Sequence, residues 1–128
     1  MLERADATLR GQAVLVVEDE ALVAMEFASV LQEQGCTVIG PASNVARALA
    51  LLENQRPDMA LLDLNLNGTS ALPIAAMLSE LDVPFVVVSG YGSAPAGDAL
   101  REAPRLTKPV RESDLVRMLR QVLAPPPH

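Results

Sequence analysis

Four strand-like stretches in this 128-residue chain each end in polar residues able to do chemistry. "QAVLVVEDE" ends in Glu18, Asp19 and Glu20, and "DMALLDLNLNG" reaches Asp63. "VPFVVVSGYG" reaches Ser89, and "PRLTKP" ends in Lys108 and Pro109. Gathered on one rim, these acids would repel one another and require a cation. Hard oxygen ligands select Mg²⁺ or the similar Mn²⁺. Asp19 and Asp63 are candidates for direct ligands, Glu18 for a ligand through water, and the backbone carbonyl of Asn65 for a further oxygen. A carboxylate beside a divalent ion is a nucleophile toward phosphorus. Lys108 and Ser89 would then face the charge on a transferring phosphoryl group.

The segment after Asp63, "DLNLNG", opens more than one motif. A calcium loop needs a bidentate acid at its twelfth position, which here is Ile74, and a helix where this chain has an apolar strand. A phosphatase of the haloacid dehalogenase type needs a second acid as general acid, and Asn65 stands there instead. A phosphoacceptor needs no acid at that place.

The elements that must position these residues alternate along the chain. Gln12–Glu18, Cys36–Gly40, Asp58–Asp63, Val83–Ser89 and Pro104–Lys108 read as short, largely apolar strands covered on both faces. Between them lie helical spacings. Val23, Phe27, Val30 and Leu31 form one stripe, with Gly35 at the expected left-handed cap. Val45, Ala48, Leu49 and Leu52 form another, with Ser43 as N-cap. Ile74, Met77, Leu78 and Leu81 form a third, with Pro73 in its first turn. The stretch "GYGSAPAGDALREA" predicts a short, weak fourth helix, and Leu115, Met118, Leu119 and Val122 a fifth. Five strands alternating with helices predict an α/β, doubly wound parallel sheet with helices on both faces. In such sheets ligands collect at the carboxyl ends of the strands.

Composition narrows the function classes. Half the residues are hydrophobic, but the chain holds two Phe, one Tyr and no Trp, so the core must be aliphatic. The formal net charge of −6, with no basic cluster, argues against nucleic acid as partner. No run is long enough to span a bilayer. The one cysteine, Cys36, suits a reducing, cytoplasmic setting and a small core position. Residues 1–11 read as an N-terminal tail, 12–124 as one domain and 125–128 as a C-terminal tail.

Taken together, "VLVVEDE", "DMALLDLNLNG", "VVVSGYG" and "LTKP" resemble, in order and spacing, the four signatures of bacterial response regulator receiver domains. The resemblance covers roughly Ala13 to Leu123. It implies a flavodoxin-like receiver fold with strand order 2-1-3-4-5 and a role in two-component signalling. Asp63 would accept a phosphoryl group from a sensor histidine kinase or phosphotransferase, with Glu18, Asp19, Asp63 and the Asn65 carbonyl around Mg²⁺. Ser89 would be the switch hydroxyl, Lys108 the phosphate-binding lysine, and Pro109 the residue after a cis peptide. A downstream protein would read the face made by the fourth helix, fifth strand and fifth helix. The resemblance implies no enzyme beyond self-phosphorylation and self-dephosphorylation, and a monomer or weak dimer. With "APPPH" after the last helix, action through protein contacts or as a phosphate sink is expected. A metal-dependent phosphohydrolase on a similar scaffold, or a receiver cut from a hybrid kinase, are the alternatives.

Two positions depart from the family's common pattern. Arg105 stands three residues before Lys108, where typical receivers carry an aromatic residue that rotates inward. Ser89 is followed by Gly90-Tyr91-Gly92, similar to the signature of the FAT-GUY receivers, a subset that also lacks the strand-five aromatic. Tyr91 is therefore expected to replace that aromatic, in a loop loosened by its flanking glycines.

Overall fold

The computed structural model describes residues 8–90, 100 and 103–123. Its main sheet holds β1 (Ala13–Val17), β2 (Thr37–Ala42), β3 (Met59–Asp63), β6 (Phe85–Ser89) and β7 (Arg105–Thr107). They lie in the order β2-β1-β3-β6-β7, and every neighbouring pair is parallel. β6 and β7 are the fourth and fifth strands expected from the sequence. The numbering runs ahead because a separate hairpin, β4 (Asn65–Leu66) with β5 (Thr69–Ser70), follows β3 directly. The helices are α1 (Ala21–Glu33), α2 (Val45–Asn54), α3 (Leu72–Glu80) and a C-terminal helix (Glu112–Leu123). The weak fourth helix expected from the sequence falls mostly outside the described residues. Of it, Leu100 is described, and it is helical and buried.

Alternation along each strand divides the core in two. Leu15, Val17, Ala60, Leu62, Phe85 and Val87 face α2 and α3, where Ala48, Leu52, Ile74 and Leu78 meet them. Val14, Val16, Met59, Leu61, Val86 and Val88 face α1 and the C-terminal helix, through Phe27, Leu31, Leu115 and Leu119. A strand covered on both sides must be apolar at every position, which is why β3 and β6 read as unbroken runs. Among the described residues, Phe27 and Phe85 are the buried aromatic residues in a core otherwise built of aliphatic side chains, Met59 and Cys36. It reaches back to Leu9, in the stretch expected to be a tail. Leu9 is buried, and its carbonyl accepts the Cys36 thiol at 3.3 Å. Cys36 is the core residue its apolar context predicts.

The element ends show where local chemistry wins. Gly35 closes α1 at φ +87, as expected. α2 is capped by Asn44, not by Ser43: the Asn44 side chain accepts the Arg47 N–H at 2.8 Å. Asn is as good a cap as Ser, and the helix begins at Val45, where its apolar spacing begins and one residue later than a Ser43 cap would imply. β2 continues two residues past Gly40 through a cis Gly40-Pro41 bond. Its pairing with β1 shifts register between Leu15 and Val17. That shift lets the Glu18 N–H donate to the Ala42 carbonyl at 2.9 Å, anchoring the end of the strand that carries the acids.

Gly40 lies at φ +91, and a Cβ there would stand 2.7 Å from the Ala42 nitrogen and 3.1 Å from the Val16 carbonyl oxygen. Both neighbours are backbone and cannot move aside. Gly40→Ala is expected to lose about 2 kcal/mol of stability, read as a lower urea midpoint.

Candidate functional site

β1 and β3 are adjacent, with Val17 beside Leu62, so the residues that follow each strand emerge side by side. Glu18, Asp19 and Asp63 each offer a carboxylate oxygen, and the three oxygens lie within 4.8 Å of one another. Glu18 and Asp63 are buried, and Asp19 is partly exposed. β6 and β7 bring the other partners. Ser89 ends β6, and its carbonyl accepts the Lys108 N–H at 2.8 Å. Lys108 then reaches back across the rim. Its Nζ donates to Glu18 at 3.1 Å, to Glu20 at 3.0 Å and to Asp63 at 3.4 Å. The sequence-predicted Glu18, Asp19, Asp63 and Lys108 thus form one cluster.

Burial gives this cluster unusual electrostatics. Burial first, then the Asp63 carboxylate, push the Glu18 carboxyl up to about 7. Burial would lower the Lys108 ammonium, but Glu20, Glu18 and Asp63 outweigh it and hold the group above the ordinary lysine value. Ser89 is buried, and its hydroxyl oxygen has no hydrogen-bond partner among the described residues. The Glu18 Oε1 is also buried and without one, although Lys108 lies 3.1 Å away. Buried polar atoms without partners are uncommon and mark where a further group belongs. An all-oxygen acid cluster with unused lone pairs fits a hard divalent cation, which Glu18, Asp19 and Asp63 could hold.

The hairpin β4–β5 went unread in the sequence, although its signal is plain. Asn67 and Gly68 form its turn at φ +54 and +82, the positive values for which Asn-Gly is favoured. The hairpin serves the site: the Asn67 N–H donates to Asp19 at 2.9 Å, tying the β3 loop to the β1 loop. Asn65 opens the hairpin, with its N–H donating to Asp63 at 3.2 Å and its side chain accepting the Gly68 N–H at 2.7 Å. Glu20, quoted in the acidic run but given no role, is the other residue the sequence reading missed. Its side chain reaches Lys108.

The remaining positions lie around the cluster. Pro109 follows a cis bond from Lys108 and is exposed. Arg105 opens the edge strand β7 beside Val87 and is exposed. Tyr91 lies outside the described residues.

A parallel sheet of this order, with acids at the carboxyl ends of β1 and β3 and a lysine at that of β7, defines a receiver domain. Residues 14–120 match the response regulator receiver domain, and the chain belongs to that family. Over 116 residues, 88% of this chain, it is 30% identical to the transcriptional regulatory protein PdtaR of Mycobacterium tuberculosis, covering 56% of that protein. It is 35% identical over 119 residues to the positive alginate biosynthesis regulatory protein of Pseudomonas aeruginosa, covering 88% of this chain and 47% of that protein. The chain spans about half the length of these curated relatives. The solution structure of SdrG from Sphingomonas melonis Fr1 matches with a TM-score of 0.78 at 34% identity, covering 92% of this chain and 100% of that one.

The raised Glu18 carboxyl makes stability depend on pH. A carboxyl whose folded value exceeds its unfolded value binds protons more tightly when folded, so the charged form opposes folding. Without divalent ions, stability is expected to fall as pH rises from 4.5 to about 7. Lys108, raised above 10.5, contributes equally throughout that window. Denaturant titrations in chelator across the window should show this slope in the wild type, and a flatter one in Glu18→Gln.

Proposed function

We propose that this chain is a phosphoacceptor in two-component signalling, with Asp63 as the acceptor. One observation carries the reading: a buried carboxylate at a strand end stands beside two further acids and a lysine ammonium. Asp63 sits at the mouth of the sheet, held by the Asn65 N–H on one oxygen and by Lys108 on the other. In the transfer, an Asp63 carboxylate oxygen attacks phosphorus and a new O–P bond forms. The donor's P–N or P–O bond breaks, and its electron pair leaves with the donor.

Each neighbour has a part in that step. Glu18, Asp19, Asp63 and the Asn65 carbonyl would hold Mg²⁺ or Mn²⁺, which when bound neutralises the charge on the phosphoryl oxygens. Lys108 supplies a fixed positive charge for the same oxygens. The Ser89 hydroxyl, unpartnered where it stands, has a donor free for them. Pro109 sets the turn out of the lysine's strand. The acyl phosphate carries about two negative charges where the carboxylate carried one, and it brings three acceptor oxygens to the rim. Drawing Ser89 and Lys108 toward it biases the elements behind them, and ~1.4 kcal/mol of bias shifts a two-state ratio tenfold.

The donor is then a sensor histidine kinase or phosphotransferase, and the cytoplasm is the compartment. Leu22 and Met25, 76% and 65% exposed near the start of α1 beside the acidic rim, offer such a donor an apolar footing. The output surface is the face between the fourth predicted helix, β7 and the C-terminal helix. Arg105 lies on it, and Tyr91 replaces the aromatic that Arg105 displaces. A downstream protein reads the change.

Incubation with Mg²⁺ and a small acyl phosphate tests the acceptor by intact mass. The wild type should gain one phosphoryl group per chain, and Asp63→Asn or chelator should abolish it. Labelling that persists in Asp63→Asn would place the acceptor elsewhere, and sustained turnover of a phosphomonoester would point to a hydrolase.

A further inference from the structure

Lys108 is saturated. A lysine ammonium carries three N–H donors, and among the described residues three carboxylates take them: Glu18, Glu20 and Asp63. If Asp63 is the phosphoacceptor, as proposed above, the lysine must turn to phosphoryl oxygens and release a partner. The three partners are not equivalent. The Glu18 side chain is 0% exposed, so water cannot solvate it once released, and its counter-charge would then rest on a divalent ion alone. Asp63, at 3.4 Å the longest contact, becomes the carrier of the phosphoryl group, so the N–H it held passes to that group, and any second phosphoryl contact must displace a glutamate. Glu20 holds the ammonium at 3.0 Å, and its side chain is 63% exposed, so water can solvate it once released.

Glu20 is also oriented in a way its place in the chain does not require. It is the N-cap residue of α1, yet its side chain makes no capping hydrogen bond. The carboxylate turns away from the helix amides, where an acid is ordinarily favoured, and reaches a lysine 88 positions along the chain. Its backbone N–H meanwhile donates to Glu18 at 3.1 Å. One residue thus holds the buried acid through its main chain and the ammonium through its side chain.

We propose that Glu20 is a positioning residue that holds Lys108 in the acid pocket and competes with the incoming phosphoryl group for its ammonium. Glu20 touches neither donor nor acceptor in this scheme and acts through the lysine. The exchange is one of ion pairs: as the Asp63 O–P bond forms and the donor leaves with its electron pair, Lys108 passes from the Glu20 carboxylate to a phosphoryl oxygen. Glu20 therefore slows phosphorylation and favours the unmodified state.

The test compares phosphorylation rates of the wild type, Glu20→Gln and Glu20→Asp with a small acyl phosphate and Mg²⁺, by intact mass over time. Glu20→Asp keeps the charge but shortens the arm by one methylene, which separates contact from field. Both variants should phosphorylate roughly two- to fivefold faster than wild type, the factor carried by a half-exposed ion pair. The advantage should shrink as salt rises. A loss of fold would slow labelling, so a merely structural role predicts the opposite sign. Equal rates in Glu20→Gln and wild type at low salt would overturn the proposal and leave Asp63 as acceptor. Glu20→Asp matching the wild type while Glu20→Gln is faster would also overturn it, in favour of a field effect without contact. No labelling in any of the three would overturn both the acceptor and its competitor.

Discussion

Like charges forced together at the edge of a sheet organise this molecule. Glu18 and Asp63 are buried side by side at the ends of adjacent strands, and Asp19 completes a cluster of oxygens within 4.8 Å. Such crowding is unfavourable unless a cation sits in it. Lys108 is that cation in the protein alone, and a divalent ion would be a second. The strand order makes the arrangement possible: β3 stands between β1 and β6, and β7 follows at the edge. The acids therefore come from the centre of the sheet and the lysine from beyond it, so that the ammonium closes the cluster from one side.

What was legible in the sequence follows from how strongly each feature is determined locally. A strand buried on both faces must be apolar throughout, so "MALLD" and "FVVVS" announce themselves, and the polar residue that ends each is placed by its position alone. The convergence of Glu18, Asp19, Asp63 and Lys108 came through the pattern as well as the resemblance, and the strand order through the resemblance alone. The hairpin after Asp63 was missed because two-residue strands have no periodicity to read, although Asn67-Gly68 is the turn that makes them. The α2 cap moved from Ser43 to Asn44 because adjacent capping residues compete and backbone geometry chooses between them. Glu20 was visible as a third acid. Its contact with Lys108 spans 88 positions and lay beyond any local pattern.

Backbone N–H groups hold the loops of the site in place. Glu18 N–H to Ala42, Asn67 N–H to Asp19, Asn65 N–H to Asp63 and Lys108 N–H to Ser89 fix the loops that carry the functional groups. Against that frame stand the Ser89 hydroxyl and one Glu18 oxygen, buried without hydrogen-bond partners among the described residues. Buried polar atoms left without partners at the carboxyl ends of β1 and β6 suit a ligand rich in oxygen and charge. The two curated relatives are covered to only 56% and 47%, so the receiver unit recurs within longer regulatory proteins.

The electrostatic claim is tested most directly by removing the lysine at a pH where Glu18 is ionised. Urea unfolding of Lys108→Ala and wild type would be compared in chelator and in Mg²⁺. The crowded acids should make the variant about 2 kcal/mol less stable in chelator, and Mg²⁺ should return most of that loss. A variant as stable as the wild type in chelator, or one that Mg²⁺ fails to stabilise, would contradict the claim that this cluster lives on its counter-charge.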